Sequence, residues 1–168
     1  MKKLIMVVLV VCIFAFAACS QQTPAPQEAE SSNQLENPVI EVQSIEEIKN
    51  KLGDDIAISL PDGASGMKYS IIDNKIGQIG FSWQGDSYNL RVQKTDALED
   101  ISGVYAEFET TKELSMDDYP YTIRYNEGKE GVSQWYDQGN KTTYSVSMDT
   151  GATEAKLVAI SVLLIPAG

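Results

Sequence analysis

The run Tyr119–Met148, YPYTIRYNEGKEGVSQWYDQGNKTTYSVSM, decides how this chain folds. It divides into YPYTIRYN, VSQWYD and KTTYSVSM, separated by the turn-forming pieces EGKEG and QGN. Tyr119, Tyr121, Ile123 and Tyr125 place a large residue at every second position, and Tyr144, Val146 and Met148 do the same. Side chains alternate between the two faces of a strand, so these runs suit a sheet with one buried face. Tyr, Thr, Val, Ile and Trp also fit a pleated surface. Gly128, Gly131 and Gly139 are expected to make the turns of this antiparallel meander.

A second meander is expected upstream, from Met67–Ile72, Ile76–Trp83 and Ser87–Lys94. Its turns are Asp73-Asn74-Lys75 and Gln84-Gly85-Asp86. Ile56–Leu60 alternates and is a candidate strand, closed by Pro61-Asp62-Gly63. Residues 94–103 are polar and read as a crossing between the meanders, and Val104–Leu114 as a further strand. Ser44 and Glu47 form a capping box for a short helix over Ile45–Leu52, with Gly53 as its stop. Thr153 caps a final helix from Glu154 to about Leu164, ended by Pro166. That helix is apolar almost all round and should be buried against the sheet, although its β-branched residues leave a strand open for Ala159–Ile165. The expected fold is α+β: an antiparallel sheet of about six to seven strands in two meanders, with an N-terminal and a C-terminal helix packed on it.

The first 19 residues read as an export segment. Lys2 and Lys3 precede an unbroken apolar run, Leu4–Ala18, and small residues stand directly before Cys19. Phe16-Ala17-Ala18-Cys19 resembles the lipobox of bacterial lipoproteins, with Phe16 where Leu is more usual. The resemblance implies cleavage before Cys19 and a diacylglycerol on its sulfur. A plain signal peptide or an uncut membrane helix are the alternatives, and the run is short of the roughly 20 apolar residues a spanning helix needs. Residues 20–37, rich in Gln, Glu, Ser and Pro, read as a disordered tether, because they cannot bury enough surface to offset the entropy of ordering. Its ends would lie about 20–25 Å apart as a flexible coil. Residues 38–168 then form one domain of roughly 130 residues, an ordinary size.

The chain has 2 Cys and no His, with 13 basic and 24 acidic residues. Without Lys2 and Lys3 the balance is 11 against 24, a charge of −13. So acidic a surface argues against nucleic acid, whose binders present basic patches. Cys12 falls in the export segment and Cys19 is the expected lipidation site, which leaves the domain without thiols. Lacking His and free Cys, it has no His-assisted nucleophile and no common zinc site. No cofactor and no metal are expected. The acid pairs Asp54-Asp55, Glu99-Asp100 and Asp117-Asp118 offer carboxylates for glycoside hydrolysis or for calcium, but acids in such a chain are usually solvated turn residues. The candidate ligand contacts are aromatic: Tyr119, Tyr121, Trp135 and Tyr136 could form a platform for sugars or peptides, or could be core and cross-strand pairs.

The order of helix, hairpins, Trp135-Tyr136-Asp137, a Gly turn, Tyr144-Ser145-Val146 and a capped C-terminal helix resembles a family of uncharacterised Gram-positive lipoproteins. It is also similar to a domain of unknown function in extracytoplasmic anti-sigma-factor-like and sporulation-associated proteins. The likeness covers residues 37–166 and implies an exported β-rich domain, with no catalytic residue to carry over. The expectation is a non-enzymatic binding or interaction module on the outer face of the cytoplasmic membrane. It would be anchored through Cys19 and have a protein or glycan partner. A glycan-acting enzyme using paired carboxylates, and an accessory or sensor domain of an envelope stress system, are the alternatives.

Overall fold

The computed structural model describes residues 38–116 and 119–165. The export segment, Cys19, the tether and Asp117-Asp118 lie outside them. The elements in order are β1 (Val39–Val42), α1 (Ile45–Leu52), β2 (Ser65–Ile72), β3 (Ile76–Trp83), β4 (Asp86–Lys94), β5 (Thr110–Met116), β6 (Tyr119–Tyr125), β7 (Gly131–Asp137), β8 (Thr142–Met148) and α2 (Glu154–Leu164). The fold is α+β: one open, antiparallel, 8-stranded sheet in the order β1-β2-β3-β4-β8-β7-β6-β5, with both helices packed on it. Each expected meander gains an outer strand, β1 or β5, and β4 pairs with β8 to join the two halves.

Registers divide the sheet into rows. One row runs Val42, Tyr69, Ile79, Leu90, Val146, Ser133, Ile123 and Lys112 from edge to edge. Its interior is buried and carries the core, to which α1 contributes Ile48 and α2 contributes Leu157, Ile160 and Leu164. Ser133 is polar because it meets α2, where the Ser161 and Ser133 hydroxyls are hydrogen-bonded at 2.7 Å. The neighbouring row faces the other way and is polar throughout: Glu41, Ser70, Gln78, Arg91, Ser145, Gln134, Thr122 and Glu113.

Both helices form as expected. Ser44 Oγ accepts from Glu47 N and Thr153 Oγ1 from Lys156 N, so each first turn has one of its free N–H groups satisfied. α2 runs to Leu164, which resolves the strand alternative for Ala159–Ile165 in favour of helix. Three expectations are corrected. Ile56–Leu60 is not a strand: Ile56 is fully buried, and Ile58 and Leu60 pack on the core without a ladder partner. Its alternation therefore records packing and not pairing. The strand expected over Val104–Leu114 begins only at Thr110. Before that point the Asn126 side chain takes the place of a ladder, with Oδ1 accepting from Glu109 N and Nδ2 donating to Glu107 O. β1 escaped the sequence reading because four residues carry too little period-two signal.

The glycine turns are also partly corrected. Gly128 has φ 73° and does supply a turn, but Gly131 lies within β7, and in the turn between β7 and β8 the left-handed residue is Lys141, φ 48°. Gly131 is small for another reason. A Cβ there would stand 2.6 Å from Ala152 Cβ and 3.1 Å from Leu157 Cδ1, so its absence lets α2 settle on β7.

Candidate functional site

The polar row has two differently treated halves. Over β4, β8, β7 and β6 it is crossed by residues 95–109, a strap with no regular secondary structure. On β4, Arg91 Nε donates to Gln78 Oε1 at 2.8 Å and Arg91 Nη1 to the carbonyl of Ile101 at 3.2 Å. On β6, Arg124 Nη2 donates to Gln134 Oε1 and to Asp100 Oδ2, each at 2.7 Å, and the Phe108 ring centre lies 5.2 Å from its guanidinium carbon. Gln134 Nε2 donates to Asp100 Oδ1 at 3.2 Å and to the Glu99 carbonyl at 3.3 Å. Two Arg–Gln pairs on adjacent strands thus grip residues 99–101 from opposite ends.

Asp100 is the centre of this grip. Its Oδ1 also accepts from Ser102 N at 3.0 Å and Ser102 Oγ at 2.7 Å. Burial pushes the Asp100 carboxyl upward, but the hydrogen bonds from Ser102 and Arg124 outweigh that and hold it below its ordinary value. Burial also lowers Arg91, with the nearby Tyr105 opposing. The strap's start is tied down by Tyr136, whose hydroxyl donates to the Thr95 carbonyl at 3.2 Å, and by Thr143, which donates to the Ala97 carbonyl at 3.3 Å. Ser145 lies between Arg91 and Gln134 in the row, and its buried Oγ has no hydrogen-bond partner among the described residues.

The other half of the row is open. A groove of about 560 Å³ runs over β1–β4, with Glu41, Lys68, Ser70, Gln78 and Asn89 on its lining and Val39 and Met67 among its walls. Val39 and Met67 are 39% and 43% exposed, an apolar margin to a polar floor. Gly80 leaves the floor low between Lys68 and Asn89, since a Cβ there would lie 3.3 Å from Asn89 Oδ1. Amide side chains offer a donor and an acceptor on one planar group, which suits a peptide amide or a sugar diol. The groove lining holds one carboxylate, Glu41.

The four aromatics singled out from sequence do not gather there. Trp135 is fully buried and stacks on Tyr144 with ring centres 5.3 Å apart and planes 4° from parallel. Tyr121 is 5% exposed in the same core, and Tyr119 is half-buried against it. Tyr136 alone projects to the polar face, where it ties down the strap. Of the four, Trp135 is one half of a core stack, Tyr119 and Tyr121 are core neighbours and Tyr136 is an anchor. The exposed platform is corrected because their strand phase turns Tyr119, Tyr121 and Trp135 toward the helices. The wholly exposed aromatic is Tyr105, on the strap, which the sequence had placed in a strand. Of the acid pairs, Asp55 binds Lys94 at 2.6 Å near the surface, and Glu99-Asp100 belongs to the strap. Among the described residues no three acidic, His or Cys side chains cluster as a metal site, and no helix is long and apolar enough to cross a membrane.

The sequence signal for the polar row was present but silent. Ser70, Gln78, Arg91, Gln134 and Ser145 are the off-phase residues of their strands, and such residues ordinarily face water. No family model, curated protein or solved structure matches this chain.

Proposed function

We propose that this chain is a non-enzymatic binding module, held at the outer face of the cytoplasmic membrane by a diacylglycerol on Cys19, whose ligand surface is the open groove over β1–β4. The observation that carries the reading is a continuous polar row left uncovered on one half of an otherwise well-packed sheet. A polar sheet face that merely met solvent would be populated by long charged side chains. Here the concave floor carries the amides of Gln78 and Asn89 and the hydroxyl of Ser70 between one acid, Glu41, and one base, Lys68, which is the chemistry of polar recognition. The single carboxylate of the lining favours binding over glycoside hydrolysis, which needs two about 5–9.5 Å apart. The anchor rests on the Phe16–Cys19 resemblance to a lipobox, and the partner is a protein or glycan of the envelope.

Two measurements test this. Intact protein from its host should carry a diacylglycerol on Cys19, and an unmodified Cys19 sinks the anchor. The full chain, isotope-labelled in detergent micelles, should show shifts of the Gln78 and Asn89 side-chain amides on titration with N-acetylglucosamine oligomers or short peptides. Asn89→Ala should weaken that binding about tenfold, the worth of roughly one hydrogen bond. Shifts elsewhere, with the groove amides unmoved, would remove the groove from the reading.

A further inference from the structure

We propose that the Arg91–Gln78 and Arg124–Gln134 pairs form a binding site for an extended, carboxylate-bearing peptide segment of a partner protein, and that residues 95–109 are its resident internal occupant. This goes beyond the groove, with which it shares Gln78, and does not depend on what the groove takes.

The strap is held in the manner of a bound peptide. It forms no strand, and its central residues are gripped through two backbone carbonyls, Glu99 and Ile101, and one carboxylate, Asp100. Of these polar contacts only the carboxylate is a side chain, with the Phe108 ring beside Arg124 as a further support, so an extended segment with an acid at that position could reproduce the polar grip. Arg is the side chain best suited to such a grip, because its planar fork binds carboxylates with defined geometry. In a chain with 13 basic and 24 acidic residues, two arginines on one face are a concentrated resource.

Ser145 supplies a second observation. It is 1% exposed, its Oγ has no partner among the described residues, and it sits between Arg91 and Gln134. The resident strap leaves this hydroxyl unused, and a better-fitting segment has it to gain. Apolar burial along the strap is concentrated at Ile101, 5% exposed, whereas Leu98 is 49% exposed and Tyr105 entirely so. Because the strap is tethered at both ends, it competes with a free peptide at an effective concentration on the order of millimolar. Displacement therefore needs a segment that binds better, or a strap that binds worse.

The test uses the full chain in detergent micelles, wild type and Asp100→Ala. The probes are a synthetic peptide of residues 97–104, ALEDISGV, and the same peptide with Asn at the aspartate. The acidic peptide is expected to bind Asp100→Ala at least tenfold tighter than wild type, shifting the Arg91 and Arg124 side-chain resonances, and the Asn peptide to lose that binding. Equal binding of both peptides, or none to either chain, overturns the proposal while leaving the groove's titrations untouched. Hydrogen exchange on the wild type guards against a variant that fails to fold. The Ser102 and Val104 amides should exchange at least about a hundredfold faster than those of β7 and β8, by local lifting of the strap. If they exchange only with the whole sheet, the strap is fixed and the site is structural.

Discussion

Gly77 shows how much a single missing methyl decides. A Cβ there would stand 2.5 Å from Ile48 Cγ2 and 3.1 Å from both Leu52 Cδ1 and Val92 Cγ2. Gly77→Ala is therefore expected to lift α1 and cost about 1–3 kcal/mol by overpacking. Ile48→Ala alone leaves a cavity worth about 2–5 kcal/mol. The double variant should lose less than the sum, a coupling that denaturant unfolding of all three variants will measure. Nothing in the strand Ile76–Trp83 announced this glycine's role, because close approach of a helix is a property of the packed state. The sequence leaves Trp135 open between platform and core for the same reason: aromatic alternation gives a phase but not the identity of the wet face. Tyr144, stacked on it, is pushed up to about 12, by burial first and by the charge of Asp137 second. A folded value raised above the ordinary 10.0 means stability complete below pH 10 and lost as pH rises through about 12. Tyrosinate absorbance should accordingly show one tyrosine ionising only as the sheet unfolds.

At the scale of elements, α2 is held by shape and by one buried hydroxyl contact. The Ser161 and Ser133 hydroxyls are hydrogen-bonded at 2.7 Å, and Ser161 Oγ also lies 2.7 Å from the Leu157 carbonyl within its own turn. Ser161→Ala leaves Ser133 buried without its partner and should cost about 1–3 kcal/mol. Ser133→Ala with Ser161→Ala should recover part of that loss, since two apolar groups then face each other, and thermal unfolding of the pair decides it. The ion pairs of the same helix, Lys156 with Asp86 and Lys112 with Glu154, are partly exposed and should each contribute no more than about 1 kcal/mol. The two helices, six strands and most of the turns were legible, because caps, positive-φ turn residues and period-two runs are local signals. The strap was legible only as a polar crossing. Its conformation depends on Arg91 and on Arg124 and Gln134, the latter two distant in sequence, and its last residues alternate like a strand until Asn126 intercepts their backbone.

For the whole molecule, acid is the sensitive side. Asp100 and Asp55 both sit below their ordinary values: Asp55 through the Lys94 hydrogen bond, Asp100 through Ser102 and Arg124 acting against burial. Groups depressed on folding contribute stability that is complete above the unfolded carboxylate value, about 4, and is lost as pH falls through the lower folded values. The strap should accordingly loosen at a pH where the sheet persists, visible as new solvent exchange at Ser102 before any loss of the β7 and β8 amides. The strand order carries a different consequence, one of timing. A chain that emerges N-terminus first completes the β1–β4 half while the outer edge of β4 waits for β8, so that Leu90 stands ready long before Val146 arrives. For that interval the molecule is a half-sheet with an open, aggregation-prone edge, and the final seam closes only when β8, the last strand among the described residues, is delivered. Premature termination before Thr142 should yield a sticky fragment and not a smaller soluble protein, so that completeness of synthesis is itself a folding requirement.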